Sequence, residues 1–436
     1  ESMSRTMKDS GIPWIGEIPK EWSVIKLLYV LRAHITDGPH ETPVLVDDGI
    51  PFISIDSLND SDTIDFSNVR KFISYEDYLR YNQKSNIEKG DILFTKAATI
   101  GKTAIVKDEV FMVWSPLAII KADFNIVNNR FLYHILNTDN LIKDVILHGS
   151  NNTQINVGMK ELEASIVPLP SLVEQQRIAE FLDRKCAEVD EMIDLQEQMI
   201  EELKAYKQSV ITEAVTKGLN LDAPMRDSGI EWIGLIPEHW EVSRVGLHYE
   251  IILGKMLCDK PIENGFLLPY FCAANVHFEG ISTTNLKQMW YNLEELNKYR
   301  VCVGDLLVVE GGAGAGGCAM VKYIEENICI QNSIMIVRSK HHCNRFLRYL
   351  VESLIKRDYV DFVCNKATIP HFTKDKLANV PYAFPKLNEQ QAIADYLDKK
   401  CGKIDELITI KQQKIESLKE YKKSVIYEYV TGKKEP

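Results

Sequence analysis

Nowhere in its 436 residues does this chain offer the roughly 20 consecutive apolar residues that a membrane-spanning helix needs. A charged segment followed by an apolar run, the mark of a secretory leader, is also missing from its opening, so a cytoplasmic protein is the expectation. Its nine cysteines are odd in number and contain no C-x-x-C pair, which in a cytosolic chain reads as reduced, mostly buried thiols. His341-His342-Cys343 is a short cluster of metal-type residues, but no second ligand pair stands at the spacing zinc requires, so no metal is expected. Positive charge is in short supply too. Against 62 Asp and Glu there are 51 Lys and Arg, a net charge of −11, and such a chain does not coat nucleic acid nonspecifically. A nucleic-acid reader on this frame would draw its basic surface from loops or from a partner. Catalytic strings are absent as well: no G-x-S-x-G, no H-E-x-x-H, and no Asn/Asp-Pro-Pro-aromatic string of the kind that holds a base amine for methylation.

What the chain does have is itself, twice. Met7-Lys8-Asp9-Ser10-Gly11-Ile12, then Trp14-Ile15-Gly16, Ile18-Pro19 and Trp22, returns as Met225-Arg226-Asp227-Ser228-Gly229-Ile230, Trp232-Ile233-Gly234, Ile236-Pro237 and Trp240. Glu174 to Thr216 returns as Glu389 to Thr431 with 25 of 43 positions identical and no gap. Between these anchors the halves diverge yet keep a faint common plan. Gly90-Asp91-Ile92-Leu93 answers Gly304-Asp305-Leu306-Leu307, Asn129-Arg130-Phe131-Leu132 answers Asn344-Arg345-Phe346-Leu347, and Thr153 and Asn156 fall level with Thr368 and His371.

The better-kept segments read as long helices. Ile178, Leu182, Val189, Ile193, Ile200, Leu203, Val210 and Ala214 form a heptad-like stripe, as do Ile393, Leu397, Ile404, Leu407, Ile415, Leu418 and Val425. Pro170 and Pro385 precede the two helices, and Gly218 and Gly432 follow them. At 1.5 Å per residue each would be about 65 Å long. One such helix alone would leave an apolar seam in water, so the two are expected to pair, antiparallel if a pseudo-twofold relates the repeats. A dimerisation coiled coil would account for the helices, but not for the mixed unit attached to each.

Those units, the variable regions, read as compact mixed domains. Ile50 to Ile55, Asp91 to Phe94 and Leu117 to Ile120 suggest short strands, Asn129 to Asn137 a short helix, and Glu41-Thr42-Pro43, Asn59-Asp60 and Asn151-Asn152 loops. Two strings imitate nucleotide sites. Gly312 to Gly317 fits G-x-G-x-x-G, but strand-like Cys318-Ala319-Met320-Val321 follows where a dinucleotide fold needs a helix. Gly101-Lys102-Thr103 resembles a P-loop tail, but Lys96 stands where the leading glycine belongs. Both read as hairpin loops between strands.

Taken in order, these strings resemble the specificity subunits of type I restriction-modification systems. The resemblance rests on Trp14 to Trp22 as the opening segment, Thr36-Asp37-Gly38-Pro39-His40 as the D-G-x-H turn, and Gly90-Asp91-Ile92-Leu93 as the G-D-[IL]-L strand. Pro168-Leu169-Pro170 with Glu174 to Ala179 is the helix entry. It covers nearly the whole chain. The second copy departs from the pattern near Leu253-Gly254-Lys255, where the D-G-x-H turn is missing, and at Gln391-Ala392-Ile393, which lacks the entry arginine.

The resemblance implies an α+β fold: two mixed α/β target-recognition domains separated by two long antiparallel coiled-coil helices, in a pseudo-twofold internal repeat. The expected boundaries are 7–167 for the first domain with its anchor 7–22, 168–218 for its spacer helix, 225–382 for the second domain with its anchor 225–240, and 383–433 for the second helix. It implies a non-catalytic chain in which each domain reads one half of a bipartite, asymmetric site in double-stranded DNA. The helix pair would set the spacer and dock two modification subunits, which carry the S-adenosylmethionine; this chain holds no cofactor. Motor-nuclease subunits would join for restriction. A scaffold presenting two protein-binding domains, and an enzyme using the Gly-rich loop, are the alternative readings.

Reading bases without chemistry calls for hydrogen-bonding side chains on loops. Asn and Gln pair bidentately with adenine, while Lys suits guanine or phosphate. In the first domain the candidate DNA contacts are Lys96, Thr99, Lys102 and Thr103 on one loop and Ser150, Asn151, Asn152, Thr153, Gln154 and Asn156 on another. In the second they are Lys255, Lys366, Thr368 and His371. For His40 and His371 a turn or packing role competes with contact.

Overall fold

The computed structural model describes residues 5–436 apart from 60–61, 68, 149–155, 313, 325–326, 340 and 356–370. It divides into two compact units, one of residues 1–196 with 413–436 and one of residues 197–412. Two long helices, Leu172–Lys217 and Leu387–Val430, each give one portion to either unit.

Each unit is built on a four-stranded antiparallel sheet. In the first unit its order is Thr36–Asp37, Leu117–Ile120, Ile92–Thr95, Thr103–Ile105, with Leu117 opposite Thr95 and Ile120 opposite Ile92. In the second the order is Glu250–Leu253, Ile334–Arg338, Leu306–Val309, Cys318–Met320, with Ile334 opposite Val309 and Val337 opposite Leu306. The period of two explains why these strands are apolar throughout. Ile92, Phe94, Ala118 and Ile120 enter one core with the helices, while Leu93, Leu117 and Ile119 enter another with Ile53, Phe111 and Val113. The second unit splits in the same way: Leu306, Val308, Met335 and Val337 to one side, Leu307, Val309, Ile334 and Ile336 to the other. The two loops that imitate nucleotide motifs are hairpins between antiparallel strands in both units.

The repeated anchors fold into two-stranded ribbons, Met7–Asp9 with Glu17–Pro19 and Met225–Asp227 with Leu235–Pro237. The last tryptophan of each anchor, Trp22 or Trp240, is sunk in the core at 1% exposure. Trp22 donates to Glu174 (2.9 Å) and Trp240 to Glu389 (3.1 Å). Cutting either indole to alanine would cost about 3–5 kcal/mol. Other identical residues of the two copies repeat their contacts. Gln175 caps the Pro170 carbonyl and receives the Asn128 N–H; Gln390 caps the Pro385 carbonyl and receives the Cys343 N–H. Asn129 donates to the Gly90 carbonyl and Asn344 to that of Gly304.

Within each unit the two long helices run antiparallel. In the first, Lys422 meets Asp190 at 2.7 Å and Phe181 stacks on Tyr429; in the second, Lys207 meets Asp405 at 2.7 Å. Asp190 and Asp405, like Lys207 and Lys422, occupy the same repeat position 215 residues apart, so one ion pair is made twice. Gly218 and Gly432 end the helices in left-handed backbone, at φ of +74° and +70°. The expected seam needs one correction. Leu407 lies outward, 47% exposed; its repeat partner is Met192, also exposed, and Ile408, level with Ile193, takes the inward place. The thiols need another. Of the eight described cysteines only Cys318, Cys329 and Cys401 are buried.

Candidate nucleic-acid interface

At one end of each central sheet two strands finish and two begin, and the hairpin between the middle and edge strands lies there. In the first unit the hairpin 96–102 is held by Thr95, whose hydroxyl donates to the Thr99 carbonyl (2.5 Å) and accepts the Lys102 N–H (2.9 Å). Gly101 turns the chain at φ +96°, and a Cβ there would stand 2.3 Å from Ile142 Cδ1. Ala97 bridges to Asn156, and the Val157 N–H donates to the Lys96 carbonyl. The second unit repeats the arrangement: Gly311 bridges to His371, and the Phe372 N–H donates to the Glu310 carbonyl at 2.7 Å. Residues about 60 apart in sequence, Ala97 with Asn156 and Gly311 with His371, are thus side by side in the same way in both units.

Not every candidate side chain reaches solvent. Lys96 is buried, and its ammonium lies 2.7 Å from Asp37, itself 1% exposed. His40 approaches the same carboxylate at 3.2 Å. Thr103 is buried and accepts from Asn137. These two are corrected from surface contacts to interior supports, because a buried charge must be paired and a buried hydroxyl bonded. Lys102 is half-buried and donates to the Leu58 carbonyl at 3.2 Å. Lys255 is likewise engaged, at 2.6 Å from Glu295 and 2.9 Å from the Trp290 carbonyl. Thr99, Asn156 and His371 are exposed. Ser150, Asn151, Asn152, Thr153, Gln154, Lys366 and Thr368 lie outside the described residues.

The structure also explains the departure of the second copy. Gly38 and Gly254 hold the same place: a Cβ on either would run into backbone, at 1.9 Å from the Val113 carbonyl oxygen and 2.4 Å from that of Gln331. The glycine of the turn is therefore kept. Its aspartate is lost because Leu253 replaces Asp37 while Glu310 replaces Lys96, so the buried pair vanishes as a pair. Glu310 instead faces His371 at 3.6 Å. Sequence reasoning missed Glu310; its signal was that it follows the strand Leu306–Val309 as Lys96 follows Ile92–Thr95.

A second group fastens each domain to its helix. Arg130 makes a bidentate contact with Asp183 and also reaches Asp62 at 2.5 Å, while buried His134 meets Asp183 at 2.7 Å. Burial pushes the Asp183 carboxyl up, but hydrogen bonds from His134 and Arg130 overcome this and hold it at about 2. Burial keeps His134 below the ordinary histidine range. In the second unit Arg345 and Tyr349 converge on Asp398 at 2.6 Å each. Among the described residues no group of three or more His, Cys, Asp or Glu is placed to hold a metal ion, and no helix is long and apolar enough to cross a membrane.

Two divergent domains on one repeated frame, each with paired loops at a sheet end, define a two-headed recognition protein. The family model described as the type I restriction modification DNA specificity domain matches residues 19–205 and again 237–432, and the chain belongs to that family. The type I restriction enzyme MjaVIII specificity subunit of Methanocaldococcus jannaschii is 24% identical, over 95% of this chain and 93% of its own length. The EcoKI specificity subunit of Escherichia coli is 23% identical over 74% and 69%. Among solved structures, the HsdS subunit of Thermoanaerobacter tengcongensis shares the fold with TM-score 0.53 and 18% identity over 95% of this chain and 98% of that one. A chain from a study of assembly and conformational transition of the type I R-M system shares it with TM-score 0.70 and 17% identity, again over 95% and 98%. This protein is accordingly a non-catalytic DNA-recognition subunit with two target-recognition domains.

Proposed function

We propose that the paired loops at the two sheet ends read the two halves of a bipartite, asymmetric DNA site. The hairpin 96–102 with the segment at Asn156 serves one half, and the loop 310–317 with His371 serves the other. The observation that carries this is the repeated bridge, Ala97 to Asn156 and Gly311 to His371: the backbone is alike while the side chains on it differ. An asymmetric site calls for that combination, a common frame with unlike readers. Thr99 and Asn156 are exposed contacts in the first domain; Lys96 and Asp37 brace the loop from beneath.

The paired helices set the number of base pairs between the halves and dock two modification subunits, which bring S-adenosylmethionine; motor-nuclease subunits join for restriction. Support comes from apolar side chains left in solvent in repeat pairs: Met192 with Leu407, Leu195 with Ile410, Tyr206 with Tyr421, each between 47% and 53% exposed. Single exposed apolar residues are ordinary, but the same three kept outward in both copies suit two copies of one partner. Such a partner would also supply phosphate neutralisation that a chain of net charge −11 is poor in. The work is done where cellular DNA is, in the cytoplasm.

The test is to map methylated sites with the modification subunit present, comparing the chain with its Thr99→Ala, Asn156→Ala variant. Discrimination in the first half-site should fall about 30-fold or more, two lost base contacts at about 1–3 kcal/mol each, with the second half-site and the spacer unchanged. Unaltered discrimination, or loss in both halves alike, would overturn the assignment.

A further inference from the structure

The cluster His341-His342-Cys343, whose spacing gives no reason to expect a metal, contributes to a hydrogen-bonded line. In the second unit four side chains form a line: Gln390 at the start of the long helix, His342, His248 and Ser243. Gln390 Nε2 lies 3.0 Å from His342 Nδ1, His342 Nε2 lies 3.1 Å from His248 Nδ1, and His248 Nε2 lies 2.8 Å from Ser243 Oγ.

The direction of every hydrogen bond in the line is determined. Gln390 Oε1 accepts the Cys343 N–H (2.9 Å) and Nε2 donates to the Pro385 carbonyl (2.9 Å), which fixes the amide's orientation. Its Nε2 can only donate, so His342 Nδ1 accepts. His342 then carries its proton on Nε2 and donates to His248, which carries its own on Nε2 and donates to Ser243. Both rings are neutral. A proton added at His342 Nδ1 would face the Gln390 amide donor, and one added at His248 Nδ1 would face the His342 N–H. Either addition breaks a link.

The first unit shows what the position holds without imidazoles. By the repeat, Val30 and Val127 stand where His248 and His342 stand, and both are buried at 1% exposure or less. Gln175 spends its second amide hydrogen on the Ile126 carbonyl at 3.2 Å, an acceptor that does not titrate. At the start of the long helix, then, the second unit has a joint that responds to acid where the first unit has one that does not; the first unit's titratable tie, His134 with Asp183, lies further along its helix.

We propose that the Gln390–His342–His248–Ser243 line is an acid-sensitive latch that seats the second recognition domain on the start of its long helix. The charged and titratable neighbours are few. Glu241 faces His248 from the strand Glu241–Arg244 and draws protons toward it; His341 sits beside His342 and repels them. Tyr249 and Tyr382 pack on the rings, and burial raises both phenols, so they stay neutral. The Tyr249 hydroxyl donates to the Cys343 carbonyl at 3.2 Å, and Phe384 closes the cluster. Burial lowers both imidazoles below the ordinary value of 6.5. For a lowered histidine the unfolded or undocked form binds more protons. The latch is therefore intact above about pH 6.5 and weakens as pH falls below it. Taken with the function proposed above, acid would loosen reading of the second half-site.

The test is hydrogen exchange on the full chain at pH 7.5 and 5.5, corrected for the intrinsic rate, in segments 341–344 and 127–130. Protection at 341–344 should drop about five- to tenfold more than at 127–130, a tenfold change being one pH unit of linkage. His248→Val with His342→Val, the pair the first unit already packs, should remove the difference. Equal protection at both pH values, or the same loss in the valine variant, overturns the latch. Imidazole nitrogen NMR of the unaltered chain at neutral pH provides an independent reading. Neutral Nε2–H forms for both rings support the latch, and an Nδ1–H or charged form of either one refutes it. None of these readouts uses DNA, so failure of the reading-loop assignment would show separately, in methylation mapping.

Discussion

Asp183→Asn is the substitution whose cost the structure specifies best. The carboxylate receives the Arg130 guanidinium at 2.5, 2.9 and 3.1 Å and His134 at 2.7 Å. Its side chain is one-third exposed, and His134 is buried at 2%. An asparagine keeps one acceptor but removes the charge, leaving a partly buried guanidinium with Asp62 alone. The expected loss is about 2–4 kcal/mol of stability in the first unit. The repeat supplies an internal control. Asp398 makes the corresponding contacts to Arg345 and Tyr349, but it and Arg345 are 46% and 39% exposed, so Asp398→Asn should cost about 1 kcal/mol or less. The difference should also depend on pH. A carboxyl held at about 2 against an ordinary 3.8 contributes stability above about pH 4 and loses it as pH falls toward 2. After solvent screening that contribution is about 1–2 kcal/mol. Urea unfolding followed by peptide-resolved hydrogen exchange would assign each loss to its unit. If Asp398→Asn cost as much as Asp183→Asn, or the gap between Asp183→Asn and the unaltered chain did not narrow in acid, the account of this tie would be wrong.

Lys96→Met should cost about 3–5 kcal/mol by removing the buried partner of Asp37, which keeps only the exposed His40 at 3.2 Å and Lys84 at 3.9 Å, and adding Asp37→Leu, the residue the second unit carries as Leu253, should recover most of it; thermal unfolding of the single and double variants that showed simple additivity would contradict the buried pair. Gly101→Ala combines a left-handed φ with a Cβ 2.3 Å from Ile142 Cδ1, so a loss of about 1–3 kcal/mol is expected, together with weaker discrimination in the first half-site alone; a wild-type methylation map would count against the hairpin as a reader. Four residues inserted after Leu195, about one helical turn, should change the spacer between half-sites and leave the bases read unchanged, as sequencing of methylated sites would show. Gel shifts should find the chain binding its site orders of magnitude more tightly with modification subunits than without, and equal affinity would remove the charge argument.

Much of this molecule could be read from residue order alone, because it was written twice. Trp22 and Trp240, the helix-entry glutamines and the two heptad stripes each appear in duplicate, and duplication turns weak motifs into a plan: two unlike domains, two like helices. Apolar periodicity then places strands and helices, since burying one face of each is the dominant gain. Long-range pairing is not written in any local period. Nothing near Lys96 announces Asp37, 59 residues away, so a basic loop residue passed for a surface contact until the fold buried it. Glu310 was overlooked because its likeness to Lys96 lies in strand register, not in chemistry. Leu407 was placed inward because a stripe fixes a helical face only to within a residue, and Ile408 fills the seam. The convergence of the hairpin with Asn156, the tie through Asp183 and the imidazole line at Gln390 likewise join segments that a one-dimensional reading holds apart. Sequence determines which elements form and which faces are apolar, since those are local free-energy balances; which charges become interior, and which loops become neighbours, was decided only when the sheets closed on the helices and removed water from between them.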